Sequence, residues 1–136
     1  MLAKIFIDAD IIITANDKKD YAKQIKAIEL IKKIMRNGNG VISTQVLQEY
    51  AITASRKLDQ AQNAVLRQLK LLETFEIINQ TPFQVQRAVE IMHLYEIEFY
   101  DALVISGAEQ ANCLEIYSQN LKKGPFYSGI KIINPL

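Results

Sequence analysis

Five short apolar runs, rich in β-branched residues, recur along this chain: Lys4-Ile5-Phe6-Ile7-Asp8, Val41-Ile42-Ser43, Phe75-Glu76-Ile77-Ile78, Leu114-Glu115-Ile116-Tyr117 and Ile130-Lys131-Ile132-Ile133. Each is too short for a helix and reads as a strand, and the first four are separated by longer stretches of helical period. Ala22, Ile25, Ile28, Ile31 and Ile34 form a helical stripe that Leu30 and Met35 widen. Asn37-Gly38-Asn39-Gly40 ends that helix, because Gly and Asn tolerate the left-handed C-cap conformation. Thr44 opens a helix with Leu47 and Tyr50 inward, and a further helix over 59–73 carries Ala61, Val65, Leu69 and Leu72. Thr81-Pro82 supplies an N-cap and a first-turn proline for a helix that runs to about Glu96, with Val85, Ala88, Val89 and Met92 inward. A last helix, Phe99 to Asn112, carries Asp101 in its first turn. Alternation of this kind predicts a three-layer α/β/α sandwich around a central, mainly parallel sheet of four or five strands.

A chain of 136 residues is long enough to bury one full core, so residues 1–136 read as a single domain. No segment approaches the roughly 18 apolar residues that cross a bilayer, which predicts no membrane partner. The N-terminus enters a core strand directly, without the features of a signal peptide. Cys113 is the only cysteine, which excludes an intrachain disulfide framework and fits the cytoplasm; its expected role is small apolar filler. The net charge of +1 decides nothing about nucleic acid. Residues 18–36 do hold seven basic residues against Asp20 and Glu29. That excess reads as a phosphate-contacting flank or, more plainly, as the solvated face of an amphipathic helix.

Several chemistries are excluded. The chain has neither a G-x-x-x-x-G-K-[ST] phosphate loop nor a G-x-G-x-x-G turn, and no G-x-S-x-G elbow. His93 is the only histidine, which removes histidine triads and multi-histidine zinc sites and leaves it a structural or surface role. What remains is a set of carboxylates. Asp8 ends the first strand, and in open α/β sheets ligands bind outside the carboxyl ends of the strands. Glu49 lies one turn into the helix after the second strand, Asp101 in the first turn of its helix, and Ser118-Gln119-Asn120 follows the fourth strand. Alone, each has a plain explanation: an N-cap or turn former for Asp8, an ordinary helical acid for Glu49, and macrodipole complementarity for Asp101. Together they point to one sheet edge, where their mutual repulsion is offset if they share a hard divalent cation.

The ordered set resembles a known family. Phe6-Ile7-Asp8-Ala9-Asp10, Glu49, Phe99-Tyr100-Asp101-Ala102-Leu103 and Ile116-Tyr117-Ser118-Gln119-Asn120-Leu121 look like the acidic motifs of PIN-domain ribonucleases, VapC-like toxins in particular. The closing Gly124 … Gly129-Ile130-Lys131-Ile132-Ile133-Asn134-Pro135 is similar to the C-terminal strand and tail of one branch. The resemblance implies a Mg²⁺- or Mn²⁺-dependent endoribonuclease, the toxin of a toxin–antitoxin pair, with an RNA substrate, an antitoxin partner and a homodimeric assembly. By that resemblance Asp8, Glu49 and Asp101 hold the metal, Asn120 completes the catalytic set, and Asp10 and Ser118 are auxiliary. The chain departs from the pattern twice. Asn120 stands where members usually carry a fourth acid, and Asp10 stands where they usually carry a small neutral polar residue. Two residues apart on a continuing strand, Asp8 and Asp10 face opposite sides, whereas a turn after Asp8 brings both to the cleft. Asp10 then either compensates for Asn120 or caps the next segment.

Two other readings compete with an active toxin. One is a PIN fold with weakened catalysis that binds RNA or protein, which Asn120 keeps open. The other is a receiver-like phosphoacceptor, which is discounted because it needs an Asp at the end of the third strand and this chain has Ile77-Ile78-Asn79 there. Ile52 and Leu58 are the candidates for a dimer surface.

Overall fold

The structure, a computed structural model, describes residues 2–121 and 126–136. Its order is β1 (Ile5–Ile7), α1 (Ala9–Ala15), α2 (Tyr21–Asn37), β2 (Gly40–Ser43), α3 (Thr44–Arg56), α4 (Gln62–Leu72), β3 (Glu76–Ile78), α5 (Pro82–Tyr95), α6 (Phe99–Gln110), β4 (Glu115–Tyr117), β5 (Phe126–Tyr127) and β6 (Ile130–Ile133). The sheet runs β3-β2-β1-β4-β6-β5, parallel throughout except for β5, which is antiparallel to β6. This is the expected α/β/α sandwich, with its five foreseen strands in place. Gly124 lies outside the described residues. Among those residues no helix is long and apolar enough to cross a membrane.

β1 is central, pairing β2 on one side and β4 on the other. The chain runs from β1 outward through β2 to β3 on one side and then crosses to β4 on the other, which makes the carboxyl end of β1 the switch point where such sheets form a crevice. The register Ile7↔Tyr117 puts Asp8 level with Ser118, and the Asp8 N–H donates to the Tyr117 carbonyl at 2.9 Å. Phe6, Ile7, Val41, Ile42 and Ile116 of the sheet are fully buried, as are Ile11 and Ile12 of α1 and Tyr50 of α3. In α6 every residue from Ala102 to Ala108 is buried, so this helix is apolar on all sides and lies inside the molecule. α6 packs on α5, β2, β4 and β6. A bidentate pair from Arg87 on α5 to Glu109 on α6, at 2.8 and 3.0 Å, ties the two helices together.

Four details differ from the sequence reading. α1 was not foreseen: Ile11-Ile12-Ile13 is β-branched and favours a strand, yet Asp8 caps a helix there by accepting from the Ala9 N–H at 2.8 Å. The buried face of α2 is Ala27, Ile31 and Ile34, while Ala22 and Ile25 are exposed. A strict spacing of three falls behind the 3.6-residue turn and drifts around the helix. On α5 the inward face is Gln84, Ala88 and Ile91, with Val85 and Val89 exposed, and on α4 Ala61 is the exposed N-cap. Finally, β5 and β6 form a hairpin whose turn residues Ser128 and Gly129 both have positive φ, 53° and 78°. That backbone matches the twist of paired strands, but Ser-Gly is a weaker turn signal than Asn-Gly. Cys113 is buried and free, with its thiol pushed up to about 12 by burial, as filler requires. Leu58 packs against the core, while Ile52 remains exposed.

Candidate active site

The crevice at the end of β1 is a cleft of about 180 Å³ lined by Asp8, Asp10, Ile13, Gln45, Glu49, Tyr100, Asp101, Val104 and Asn120. Larger hollows exist, such as one of about 500 Å³ between α3, α4 and β3, but its lining holds one carboxylate, Glu73. Each acid arrives on a different support. Asp8 follows β1 and caps α1, and Asp10 sits in the first turn of α1. Glu49 is on α3, six residues after its N-cap Ser43, and Asp101 is in the first turn of α6.

Asp8 is nearly inaccessible, and its second oxygen accepts from the Ser118 hydroxyl at 2.7 Å. Burial raises its carboxyl to about 7, and the charges of Asp10 and Glu49 add to the rise. Burial also raises Asp10, against the lowering effect of its hydrogen bonds from Asn120, Gln119 and Ser118. It raises Glu49 too, with Asp10 and Asp101 adding repulsion. Burial and mutual repulsion thus act together on Asp8, Asp10 and Glu49. Among the described residues, no three His, Cys, Asp or Glu side chains are already gathered closely enough to hold a metal ion. The acids line the cleft without converging.

The placement of Asp10 bears on the question its sequence position raised. The chain does turn after Asp8, into α1, and both acids face the cleft. One Asp10 oxygen, Oδ2, is committed to structure: it accepts from the backbone N–H of Gln119 at 2.9 Å and of Asn120 at 2.8 Å. The Ser118 hydroxyl, 3.2 Å from the same oxygen, also accepts from the Leu121 N–H at 3.0 Å. Asp10 therefore clamps the loop that carries Asn120. Its other oxygen, Oδ1, is buried with no hydrogen-bond partner.

Gln45 was missed in the sequence. It precedes Glu49 by four residues on α3, so the two share one helical face. Its amide nitrogen donates to Glu49 Oε1 at 3.0 Å and to the Tyr100 carbonyl at 3.1 Å, bridging α3 to the start of α6. The signal was the i, i+4 spacing of an amide and an acid. The basic flank reaches this edge where Lys23 Nζ donates to the Gln119 side chain at 3.3 Å. His93 is exposed on α5, away from the cleft lining.

Comparison with known proteins agrees with this architecture. Over 98% of both chains, the fold matches a toxin–antitoxin complex from Klebsiella pneumoniae at a TM-score of 0.74 and 20% identity. It matches VapC20 of Mycobacterium tuberculosis, described as a sarcin–ricin loop cleaving toxin, at 0.68 and 17% identity over 86% of this chain and 90% of that one. It also matches VapBC2 of Rickettsia felis, solved on a DNA fragment from its promoter, at 0.70 and 18% identity over 95% and 96%. No curated protein sequence matches the chain. The PIN domain model matches residues 5–122, a span that holds every residue of the cleft, and the chain belongs to the PIN domain family.

Proposed function

We propose that this protein is a metal-dependent endoribonuclease and the toxin of a toxin–antitoxin pair. The observation that carries the reading is that Asp8, Asp10, Glu49, Asp101 and Asn120 line one cleft of a PIN domain. The likeness to solved toxin–antitoxin proteins supports the biological setting. An antitoxin chain, an RNA substrate, a homodimeric state and a cytoplasmic location belong to the same reading.

The donor set fits a hard divalent cation. It is oxygen throughout, it carries four carboxylates, and one of its carboxylate oxygens, Asp10 Oδ1, is buried without a donor. Asp8, Glu49 and Asp101 would hold Mg²⁺ or Mn²⁺. Bound there, the ion would supply Lewis-acid stabilisation of a phosphoryl oxygen and a water acidic enough to attack it. The chain's own residues set the stage. Ser118 orients Asp8 through its 2.7 Å bond, Gln45 holds Glu49, and the Asp10 clamp fixes the loop that presents Asn120. Asn120 brings an amide where the family pattern brings an acid, so the site is one charge short unless Asp10 supplies it.

The test is cleavage of a generic RNA by purified protein in Mn²⁺ or Mg²⁺, beside thermal unfolding with and without the metal. Asp101→Asn should lower cleavage by more than the roughly 10- to 100-fold that outer-shell partners cost. A ligand that binds only the folded state adds ~2.7 kcal/mol of stability at a hundredfold excess over its dissociation constant, so the metal should raise the melting temperature and Asp8→Asn should remove most of the rise. Asp101→Asn protein that cuts at the wild-type rate, free of contaminating nuclease, would overturn the assignment. Asn120 favours a second reading, a PIN fold kept for binding. That reading gains if the wild type takes up metal yet cuts nothing and Asn120→Asp restores cleavage.

A further inference from the structure

Gln45 is only 3% exposed, and both acceptors of its amide nitrogen are oxygens that cannot donate. The Glu49 carboxylate and the Tyr100 carbonyl therefore fix which way the amide points. In that orientation the carbonyl oxygen of the side chain, Oε1, is buried with no hydrogen-bond partner. A buried acceptor left without a donor costs about 1–3 kcal/mol. The same cleft holds a second such atom, Asp10 Oδ1. Two acceptors without a donor thus share one cleft with the carboxylates, and an oxygen-seeking cation is a partner of the kind such atoms take.

We propose that Gln45 is a neutral oxygen donor to the cation held by this cleft, and that its amide nitrogen meanwhile positions Glu49 against the start of α6. This rests on the cation site of the proposed function and adds to it a residue outside the acidic motifs. The two roles come from opposite ends of one amide. The nitrogen end works whether or not the cation is present, and the oxygen end works only with it. A neutral donor also suits the crowding. A fifth carboxylate at position 45 would add to the repulsion that already raises Asp8, Asp10 and Glu49, whereas an amide oxygen adds a ligand without a charge.

The two ends can be separated with Gln45→Met, which keeps the length and removes both oxygen and nitrogen, and Gln45→Glu, which keeps oxygen but loses the nitrogen bridge. Calorimetric titration with Mn²⁺ is the readout, with Asp8→Asn as reference and circular dichroism checking that each variant is folded. Gln45→Met should bind Mn²⁺ more weakly than the wild type by more than the roughly 10- to 100-fold that loss of an outer-shell partner costs. Gln45→Glu should bind it at least as tightly as the wild type, while melting at a lower temperature without metal. If both variants lose affinity equally, the residue is only a bridge and the donor role is overturned. If Gln45→Met binds like the wild type, Oε1 faces ordinary water and the proposal is overturned while the cation site stands. If Asp8→Asn also binds like the wild type, the cation site itself is wrong. A measurement without substitution covers a variant that does not fold. In the wild type, saturating Mg²⁺ should shift the NMR resonance of the Gln45 side-chain carbonyl carbon, and an unmoved resonance would overturn the proposal.

Discussion

Asp8 shows at the scale of one residue how the site and stability oppose each other. Its carboxyl is raised to about 7 by burial first and by Asp10 and Glu49 second, from an ordinary value of 3.8. A group raised on folding holds its proton more tightly in the native state. Its contribution is complete below the unfolded value and is lost as pH rises through the folded one. Asp10 and Glu49 shift in the same direction, also chiefly through burial. Glu109, held low by Arg87, acts in the opposite sense: its contribution is present above the unfolded value and is lost as pH falls. Metal-free protein should therefore lose stability between about pH 4 and 7, by on the order of a few kcal/mol, with the opposing Glu109 effect confined to the acid end, measured by urea unfolding in chelator. Asp8→Asn should flatten that slope. Mg²⁺ should reverse it, because the cation selects the ionised acids. A metal-free wild type that grows steadily more stable up to pH 8 would show that the acids are not confined together.

At the scale of elements, close approach is set where a side chain is missing. Gly40 opens β2, and a Cβ added there would lie 2.5 Å from the Phe75 ring and 2.7 Å from an Ile34 methyl carbon. Both neighbours are buried, so neither has free space to move into. Gly40→Ala should cost about 1–3 kcal/mol, as overpacking does, whereas Gly38 ends α2 in the left-handed conformation with nothing near its Cβ position. Chemical unfolding of Gly40→Ala checks this, and an unchanged midpoint would mean that Phe75 and Ile34 yield to the added methyl at no cost. The sequence read Gly38 and Gly40 alike as helix enders, since composition shows a glycine but not what faces it. Most elements were legible because their apolar period and caps were local, as with Thr81-Pro82 ahead of α5. α1 was not legible, since its β-branched residues favour a strand and only the Asp8 cap and the surrounding core make a helix. The acids at Asp8, Glu49 and Asp101 were legible as an ordered set. The roles of Gln45 and Asp10 were hidden because they depend on which individual atoms are left without partners in three dimensions.

At the scale of the whole molecule, the parts that complete the core come late in the chain. β1 lies between β2 and β4, and α6 packs on β2, β4 and β6. The cleft draws Asp8 from the first strand, Asp101 from α6 and Asn120 from the loop after β4. Burial in this fold therefore joins residues about a hundred positions apart, and loop closure over such lengths has to precede its reward. During synthesis, the growing chain through β3 has a sheet open on the β4 side of β1 and no helix in the place of α6. Such a chain should remain protease-sensitive on the ribosome until residues through β4 have emerged. Limited proteolysis of stalled chains ending before residue 98 and after residue 121, each extended by a linker that spans the exit tunnel, measures this. Resistance in the shorter chain would show that α6 is dispensable for the core. The late place of α6 in the chain then carries a consequence for timing: most of this polypeptide should be made before any of it can assemble a cleft.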